Sequence, residues 1–286
     1  MVENIPTLLN KNMKNCFLKI FILLGILLGS LVGSSSCAAT RVAAENRSND
    51  QRITIKTGSA KRVVRTMEAP DFHAVDASRA VGVVIGGTEE IVIEANANVA
   101  EYVIAEVKHG TLRIGIDNRV RILGSVHVVV RIPNNGRIDA IHGSSAASIR
   151  TESALRAAEM EIRLSSAASL DAALKADRCD IRLSSAAELQ VAADFGQCSI
   201  DLSSAAEAAL SGKADALTAN LSSGSELDAY ALTARRCKVD VSSGADAKVA
   251  CSERLTAQAS SGGEIRYKGD CAVEQRTSSG GTVKKR

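Results

Sequence analysis

The chain has 286 residues, a formal net charge of +3 and no tryptophan, and its aromatic residues are three tyrosines and four phenylalanines. So few rings argue against a thick globular core and predict an interior of Ala, Val, Ile and Leu packed in thin layers. Residues 1–36 hold three of the 35 basic and one of the 32 acidic residues, which leaves 32 basic and 31 acidic residues in the remainder. This balance lacks the concentrated basic face that nucleic-acid binding requires, so no nucleic-acid partner is predicted.

Residues 1–36 resemble an export signal. Lysines precede or open the apolar run FLKIFILLGILLGSLVG, and small residues lead up to Cys37. Translation from Met13 gives the charged start, apolar middle and small-residue end of a bacterial signal. The pattern resembles a lipoprotein signal and predicts lipidation of Cys37, with ordinary cleavage after Ala38 or a retained membrane helix as alternatives. The residues after Cys37 lack the acidic cluster that resembles a surface-export signal, so we expect an outer-membrane lipoprotein that faces the periplasm.

Residues 37–66 are polar and have few apolar residues in phase, which predicts a flexible tether between the lipid anchor and a folded body. Residues 67–140 contain alternating apolar runs such as EIVIEA and SVHVVVRIP, broken by turn residues. This pattern predicts a β-rich cap of strands and turns.

A Ser-Ser pair then recurs eight times, at intervals of 18 to 21 residues. The pairs begin at Ser144, Ser165, Ser184, Ser203, Ser222, Ser242, Ser260 and Ser278. A period near 20 is typical of a solenoid, either a leucine-rich repeat or a β-helix. No copy carries the leucine ladder with its Asn or Cys, so the β-helix is favoured.

The residues before each pair alternate between apolar and mostly polar, as in a strand with one inward face. Five residues before the first serine stand Met160, Cys179, Cys198, Leu217, Cys237, Leu255 and Val273. A second strand follows each pair. Stacking equivalent strands about 4.8 Å apart predicts an all-β, parallel β-helix of about 19 residues per coil over residues 141–283, which we expect to be right-handed.

Each serine pair is predicted to lie at a corner between two strands. Small side chains allow the chain to turn there, and hydroxyl groups can satisfy backbone groups freed by the turn. The residue after the pair is alanine in the first four copies and glycine in the last four. This change predicts tighter corners or positive φ angles in the later coils.

The cysteines of the repeats predict core positions more than disulfides. Cys179, Cys198 and Cys237 occupy an inward column and are interpreted as small apolar core residues. Cys251 and Cys271 are predicted to fall in turns and are the better candidates for a disulfide. No zinc-binding spacing is present.

Four residues after the first serine runs an acidic column, consisting of Glu188, Glu207, Glu226, Asp246 and Glu264. Like charges on neighbouring strands repel, so these carboxylates splay into water, are offset by nearby cations or bind Ca²⁺. A solvated charged face is favoured, because calcium needs six to eight oxygens and each coil supplies one carboxylate. No cofactor is predicted.

The serine pairs do not predict hydrolytic chemistry. The sequence has no Gly-x-Ser-x-Gly elbow, and its histidines precede the repeats or stand at their edge. A carbohydrate-active enzyme, a polysaccharide lyase or hydrolase on a β-helix scaffold, is the alternative. Clustered carboxylates in a groove beside Tyr230 or Tyr267 would favour it.

The segment FHAVDASRAVGVVIGGTEEIVIEANANVAEYVIAEVKHGTLRIGI, the segment VHVVVRIPNNGRIDAIHGSSAASI and the Ser/Gly/Ala-rich coils resemble the exported bacterial family of putative auto-transporter adhesins with a head GIN domain. The resemblance covers about residues 67–283. It implies an all-β envelope protein that contains a β-helix, and its adhesin label rests on likeness of architecture.

The sequence thus predicts a signal (1–36), a lipidated tether (37–66), a cap (67–140), a β-helix (141–283) and a basic tail (284–286). The basic tail is expected to discourage edge pairing of the last coil. The favoured function is a non-enzymatic structural or binding protein of the cell envelope, adhesin-like, with no catalytic residues assigned. The expected partner is an envelope or extracellular ligand, glycan or protein.

Overall fold

The computed structural model of the protein describes residues 53–56 and 61–286, so the predicted signal and Cys37 lie outside the described residues. The described chain is all-β apart from one 3-10 turn at Ala100–Tyr102, which confirms the predicted fold class. No helix in the described ranges is long and apolar enough to cross a membrane. The strands are β1 (Ile53–Lys56), β2 (Arg62–Met67), β3 (Ala74–Ala77), β4 (Gly82–Ile85), β5 (Ile91–Asn96), β6 (Val103–Lys108), β7 (Thr111–Ile116), β8 (Val120–Leu123), β9 (Val128–Ile132), β10 (Ala140–Gly143), β11 (Ser148–Thr151), β12 (Leu155–Leu164), β13 (Ser169–Leu183), β14 (Glu188–Leu202), β15 (Glu207–Leu221), β16 (Glu226–Val241), β17 (Asp246–Ala259), β18 (Glu264–Lys268), β19 (Ala272–Thr277) and β20 (Thr282–Lys285).

Parallel pairing between successive coils builds three walls. Wall 1 consists of β7, β3, β10, the last parts of β12 to β17, and β19. Wall 2 consists of β9, β4, β11, the first parts of β13 to β17, β18 and β20. Wall 3 is formed by the first part of β12 and the middle parts of β13 to β17. The long strands therefore bend around the coil and contribute to more than one wall.

The inward column of wall 1 stacks in register as predicted. Cys179 pairs with Cys198, Cys198 with Leu217 and Leu217 with Cys237. Their exposed fractions are between 1 and 4%. The file ends at Val273, which is 37% exposed because the last rung has a neighbour on one side only. The core is thus a thin stack of small aliphatic side chains, as the composition predicts.

Each serine corner is a tight turn with two consecutive residues at positive φ. The second serine has φ between 47° and 57° in all eight copies, and the next residue has φ between 57° and 78°. The amide of the fourth corner residue bonds the carbonyl of the first, as Ala187 N does to Ser184 O at 3.2 Å. Two central residues at positive φ define a type I′ turn.

The prediction that only the later corners have positive φ is therefore wrong, since φ is 57° to 60° in the alanine corners and 68° to 78° in the glycine corners. The corner hydroxyls also play a smaller part than predicted. Backbone groups of neighbouring corners bond each other, as Ala186 N does to Ser204 O at 3.0 Å. A hydroxyl that bonds corner backbone belongs to Ser225, which follows a pair and donates to Ser222 O at 2.9 Å.

Residues 67–140 do more than cover the end of the stack. The β3–β4 segment forms a rung directly below β10–β11, and the later β7 and β9 form the rung below that. Ser78 to Val81 make the corner of the β3–β4 rung, with φ of 64° at Arg79 and 55° at Ala80. This corner is a ninth copy of the turn, and its Ser-Arg sequence conceals it from the Ser-Ser period.

The lower end of the stack is closed by antiparallel strands. In wall 2, β5 pairs with β9 and β2 pairs with β5. In wall 1, β6 pairs with β7. The short β1 pairs with β8 in a separate two-stranded sheet, and both β1 and most of β2 fall within the segment predicted as a tether.

Candidate binding groove

A continuous groove of about 1080 Å³ follows the edge of wall 1 beside the serine corners. Three columns line it. The first is the first serine of the pairs, from Ser144 to Ser278, the second is the outward residue two positions earlier, and the third is the mostly apolar residue between them, from Gly143 to Thr277. That second column consists of Asp76, His142, Arg163, Arg182, Asp201, Asn220, Asp240, Gln258 and Arg276.

Local sequence explains why the groove is there. Residues two apart in a strand point to the same face, so each serine lies beside the longer polar side chain that precedes it. The serine is small and half-buried, whereas the two residues after it turn outward at positive φ. The serines thus form a floor between the long side chains and the projecting turns. Nine rungs about 4.8 Å apart give a groove about 38 Å long.

The outward column of the groove is polar and carries both signs of charge. Asn220 Nδ2 donates to Asp201 Oδ1 at 2.7 Å, and Arg182 Nε lies 3.8 Å from Asp201 Oδ2. Arg163 pairs with Glu161 at 2.6 Å, and the same carboxylate contacts His142 Nε2 at 3.0 Å. The side chains of Arg163, Arg182 and Asp201 are about half exposed, and all three line the groove. The arrangement can hydrogen-bond a polar chain laid along it.

The groove offers little of the constellation predicted for the enzyme alternative. No aromatic residue lines it in the described part of the chain, and Tyr230 and Tyr267 lie outside it. The ring of Tyr230 has two cations as neighbours, Lys268 and Arg286, each 5.4 Å from its centroid. The histidine in the groove, His142, contacts a carboxylate. Among the described residues, the groove therefore lacks the tyrosine beside carboxylates that would favour the enzyme alternative.

The acidic column stacks on the outer face of wall 2. Glu188, Glu207, Glu226, Asp246 and Glu264 follow one another in register. Cations from the adjacent outward column offset its upper half. Lys248 lies 2.6 Å from Glu226, and Glu264 contacts both Arg266 at 2.6 Å and Lys284 at 3.1 Å.

In the middle of the column, burial and the neighbouring carboxylates disfavour the charged form of Glu207. Partial burial, followed by the charges of Glu226 and Glu188, raises the pKa of Glu207 above its ordinary value. Hydrogen bonds from Lys284 and Arg266 instead lower the pKa of Glu264. In residues 53–56 and 61–286, no group of three or more His, Cys, Asp or Glu side chains is placed to hold a metal ion. Calcium binding by this column stays a hypothesis from the sequence.

All five cysteines of the described ranges are free thiols. Cys179, Cys198 and Cys237 are buried in the inward column, as predicted. The prediction that Cys251 falls in a turn is wrong, because it lies within β17 on the inward side of wall 3 and is 2% exposed. Cys271 does lie in the bend between β18 and β19 and is partly buried.

Comparison with known families agrees with the resemblance seen in the sequence. The model of the family described as "Putative auto-transporter adhesin, head GIN domain" matches residues 71–271. The chain belongs to this family. No curated protein matches the chain.

Solved structures share the fold of this head GIN domain protein. A putative adhesin from Parabacteroides merdae is 19% identical, with a TM-score of 0.75 over 82% of this chain and 99% of its own. A putative adhesin from Parabacteroides distasonis is 20% identical, with a TM-score of 0.75 over 82% of this chain and 100% of its own. A putative lipid binding protein from P. distasonis is 17% identical, with a TM-score of 0.72 over 82% of this chain and 99% of its own. These identities establish a common fold alone.

Both polar columns of the groove are visible in the sequence, but the groove itself is not. The outward residues were visible as the polar half of a period-two pattern, and the serines as a repeat. The two columns form one concave surface only because the turns project beyond the serines. The serine pairs alone do not predict how far the turns project.

Proposed function

We propose that this head GIN domain protein is a non-enzymatic, adhesin-like binding module of the cell envelope that holds a linear polar polymer, a glycan chain, along its groove. The observation that carries the proposal is the unbroken line of nine rungs with hydroxyl, carboxylate, amide and guanidinium groups. Such groups pair with the hydroxyls of sugars. The repeated spacing suits a ligand that is itself repetitive.

Groove chemistry also favours a glycan over an apolar ligand. One structural neighbour is described as a lipid binding protein. Here the outward column of the groove contains charged, imidazole and amide side chains, which would lose hydrogen bonds with water on contact with an acyl chain. Without aromatic platforms each rung contributes weakly, so binding should depend on several rungs at once.

A glycan array followed by calorimetry tests this proposal. The chain from residue 38 to 286 should bind one class of polysaccharide, more tightly as the oligosaccharide lengthens. The double variant R182A/D201A in the middle of the groove should weaken binding at least tenfold, as expected for lost hydrogen bonds to polar groups. The matched variant R178A/D215A, on exposed positions outside the groove, should bind like the wild type.

Three results would contradict it. Equal loss in both variants would show that the groove is not the site. Shortening of the polysaccharide during incubation would instead support the enzyme alternative. Binding of proteins, with no binding of any glycan, would show that the ligand is a protein.

The proposal includes export and a lipid anchor at Cys37, on the periplasmic side of the outer membrane. It is supported by the charged and apolar pattern of residues 1–36 and by the family of the folded body. Palmitate labelling of the wild type, its loss in Cys37→Ser, and accumulation of the unprocessed precursor under globomycin are the expected results. Secretion of an unlabelled, processed wild type would refute the anchor.

A further inference from the structure

Each serine corner leaves one backbone donor without a partner. In all eight corners the carbonyl of the first serine accepts from the amide of the fourth corner residue, at 2.8–3.3 Å. The third residue donates to the corner above it, as Ala167 N does to Ser185 O at 3.0 Å. The amide of the second serine has no hydrogen-bond partner within the part of the chain that the structure describes. These amides belong to Ser145, Ser166, Ser185, Ser204, Ser223, Ser243, Ser261 and Ser279.

The geometry of the turn directs these donors toward the groove. In a trans peptide the N–H group and the C=O group of the preceding residue point in opposite directions. The carbonyl of the first serine points toward wall 2, because it accepts from the residue that leads into wall 2. The N–H of the second serine therefore points to the wall 1 side, where the first serines line the groove. One side of the groove is thus a row of backbone donors about 4.8 Å apart.

The opposite side of the groove has a short cationic stretch. His142, Arg163 and Arg182 follow one another in the outward column, on three consecutive coils. Carboxylates stand on either side of this stretch, at Asp76 below and at Asp201 above. Guanidinium groups and free backbone amides therefore face each other across the groove on the two coils of the arginines.

Both arginines keep donors available for a ligand. Arg163 Nε lies 2.6 Å from Glu161, and Arg182 Nη2 lies 2.9 Å from Asp180. Neither of these carboxylates lines the groove. A guanidinium group has five N–H donors, and both arginine side chains are 51% exposed. Each arginine thus has more donors than its ion pair uses.

We propose that the groove takes an acidic glycan and binds an oxyanion of that glycan, a carboxylate or a sulfate, on the coils of Arg163 and Arg182. This assignment of the ligand class rests on the proposed glycan-binding function. Guanidinium groups and backbone amides only donate, so a ligand between them must offer acceptors to both sides. Hydrogen bonds to a charged acceptor are roughly twice as strong as neutral ones, so an oxyanion fits this position better than a sugar hydroxyl.

The neighbouring coils limit how acidic the glycan is. A second oxyanion beside Asp201 would be repelled by the like charge. Asn220 and Gln258, higher in the outward column, carry amide groups that both donate and accept, as sugar hydroxyls require. A glycan in which acidic and neutral sugars alternate therefore suits the groove better than a run of acidic sugars.

Calorimetry on pairs of polysaccharides that differ only in charge tests the ligand class. The chain from residue 38 to 286 is titrated at low salt with hyaluronan, chondroitin sulfate and polygalacturonate, each beside its carboxyl-reduced form. Chondroitin sulfate is also compared with its desulfated form, which distinguishes sulfate from carboxylate. We expect at least one acidic form to bind about tenfold or more tightly than its neutralised counterpart, as expected for hydrogen bonds to a charged group.

Two double variants locate the effect in the groove. R163Q/R182Q should reduce the preference for the acidic form to about twofold or less, since it removes the charged donors of one side. R178Q/K213Q removes the same charge from exposed positions outside the groove and should keep the preference. Equal loss in both variants would show that net charge, and not this stretch of the groove, selects the acidic form.

Amide resonances test the part played by the backbone. In the ¹⁵N-labelled chain, the amide protons of Ser166 and Ser185 should shift downfield when the preferred acidic form is added, because they gain a charged acceptor. The amide of Ser223, on the coil of Asn220, should shift less. Unmoved resonances at both Ser166 and Ser185 in the bound protein would overturn the role of the amides.

The outcomes separate this inference from the proposed function. Equal affinity for both members of every pair that binds would overturn the acidic ligand and leave the groove as a glycan site. Binding of neutral glycans on the array, with none of the acidic polysaccharides bound, would have the same meaning. Failure of every glycan to bind would overturn the proposed function itself.

Discussion

Exchanging alanine and glycine at the corner position after the serine pair should change stability in opposite directions. Ala186 has φ of 57° and Gly244 has φ of 68°, in turns with equivalent backbone hydrogen bonds. A Cβ atom added at Gly244 would meet nothing within 4 Å. Backbone conformation is thus the main quantity that changes, and packing hardly contributes.

The expected magnitude follows from two opposing effects. A side chain at left-handed φ costs roughly 1–2 kcal/mol. Restricting the unfolded chain by replacing glycine with alanine returns about 0.4–1 kcal/mol. Gly244→Ala should therefore lower the free energy of unfolding by about 1 kcal/mol, and Ala186→Gly should raise it by about the same amount. In a body of this size each change corresponds to a shift of about 2–4 °C in Tm.

Urea unfolding and calorimetry of the two variants measure these changes. Because repeat arrays can unfold in parts, amide hydrogen exchange at the altered corner should be measured in addition to the midpoint of global unfolding. Gly263→Ala provides a contrast, since its new Cβ would lie 2.8 Å from Val241 Cγ1 and so lowers stability by crowding rather than by φ. Unchanged midpoints in both Gly244→Ala and Ala186→Gly would refute the account of the corner as a strained type I′ turn.

Three further changes test the core and the acidic column. Ile200→Ala, at a position that is fully buried, should lower the unfolding free energy by about 2–5 kcal/mol in urea titrations, whereas exposed-face Ser199→Ala should change it by less than about 0.5 kcal/mol. Glu207→Gln should stabilise the protein at neutral pH. The pKa of Glu207 is raised in the folded state, so its charged form lowers the stability of the wild type increasingly as pH rises from the ordinary value of 4.5 through the raised one. The gain of the variant over the wild type should therefore vanish below pH 4.5, which a pH series of Tm values would show. Lys248→Met should lower Tm at low salt by removing the cation that lies 2.6 Å from Glu226, and a difference that survives in 1 M salt would contradict an electrostatic origin.

The repeated part of the fold follows from the sequence because each contact there recurs. Placing Cys179, Cys198 and Leu217 in one file required only a count of residues from each serine pair, since parallel strands in register bring equivalent positions together. The alternation of inward and outward residues identified the core face in the same way. The coils can be predicted from the sequence because the same pairing between neighbouring coils is repeated at a fixed interval.

The lower rungs did not follow from the sequence, because their contacts occur once and join distant segments. In the stack, β3 lies between β7 and β10. In the chain, β3 comes before both of them, so the order of the rungs differs from the order of the strands in the sequence. The corner at Ser78 has the turn geometry of the repeats with arginine in place of the second serine. No period marks either feature.

By itself the sequence determined the all-β class, the coil length, the inward files and the positions of the corners, because periodic burial in a strand is a local property of residue order. Tertiary structure decided which strands close the lower end, that Cys251 lies inside a wall, and that the serines and outward polar residues form one groove. Those features depend on how far the turns project and on which distant strands pair, and both are settled only when the whole stack packs together.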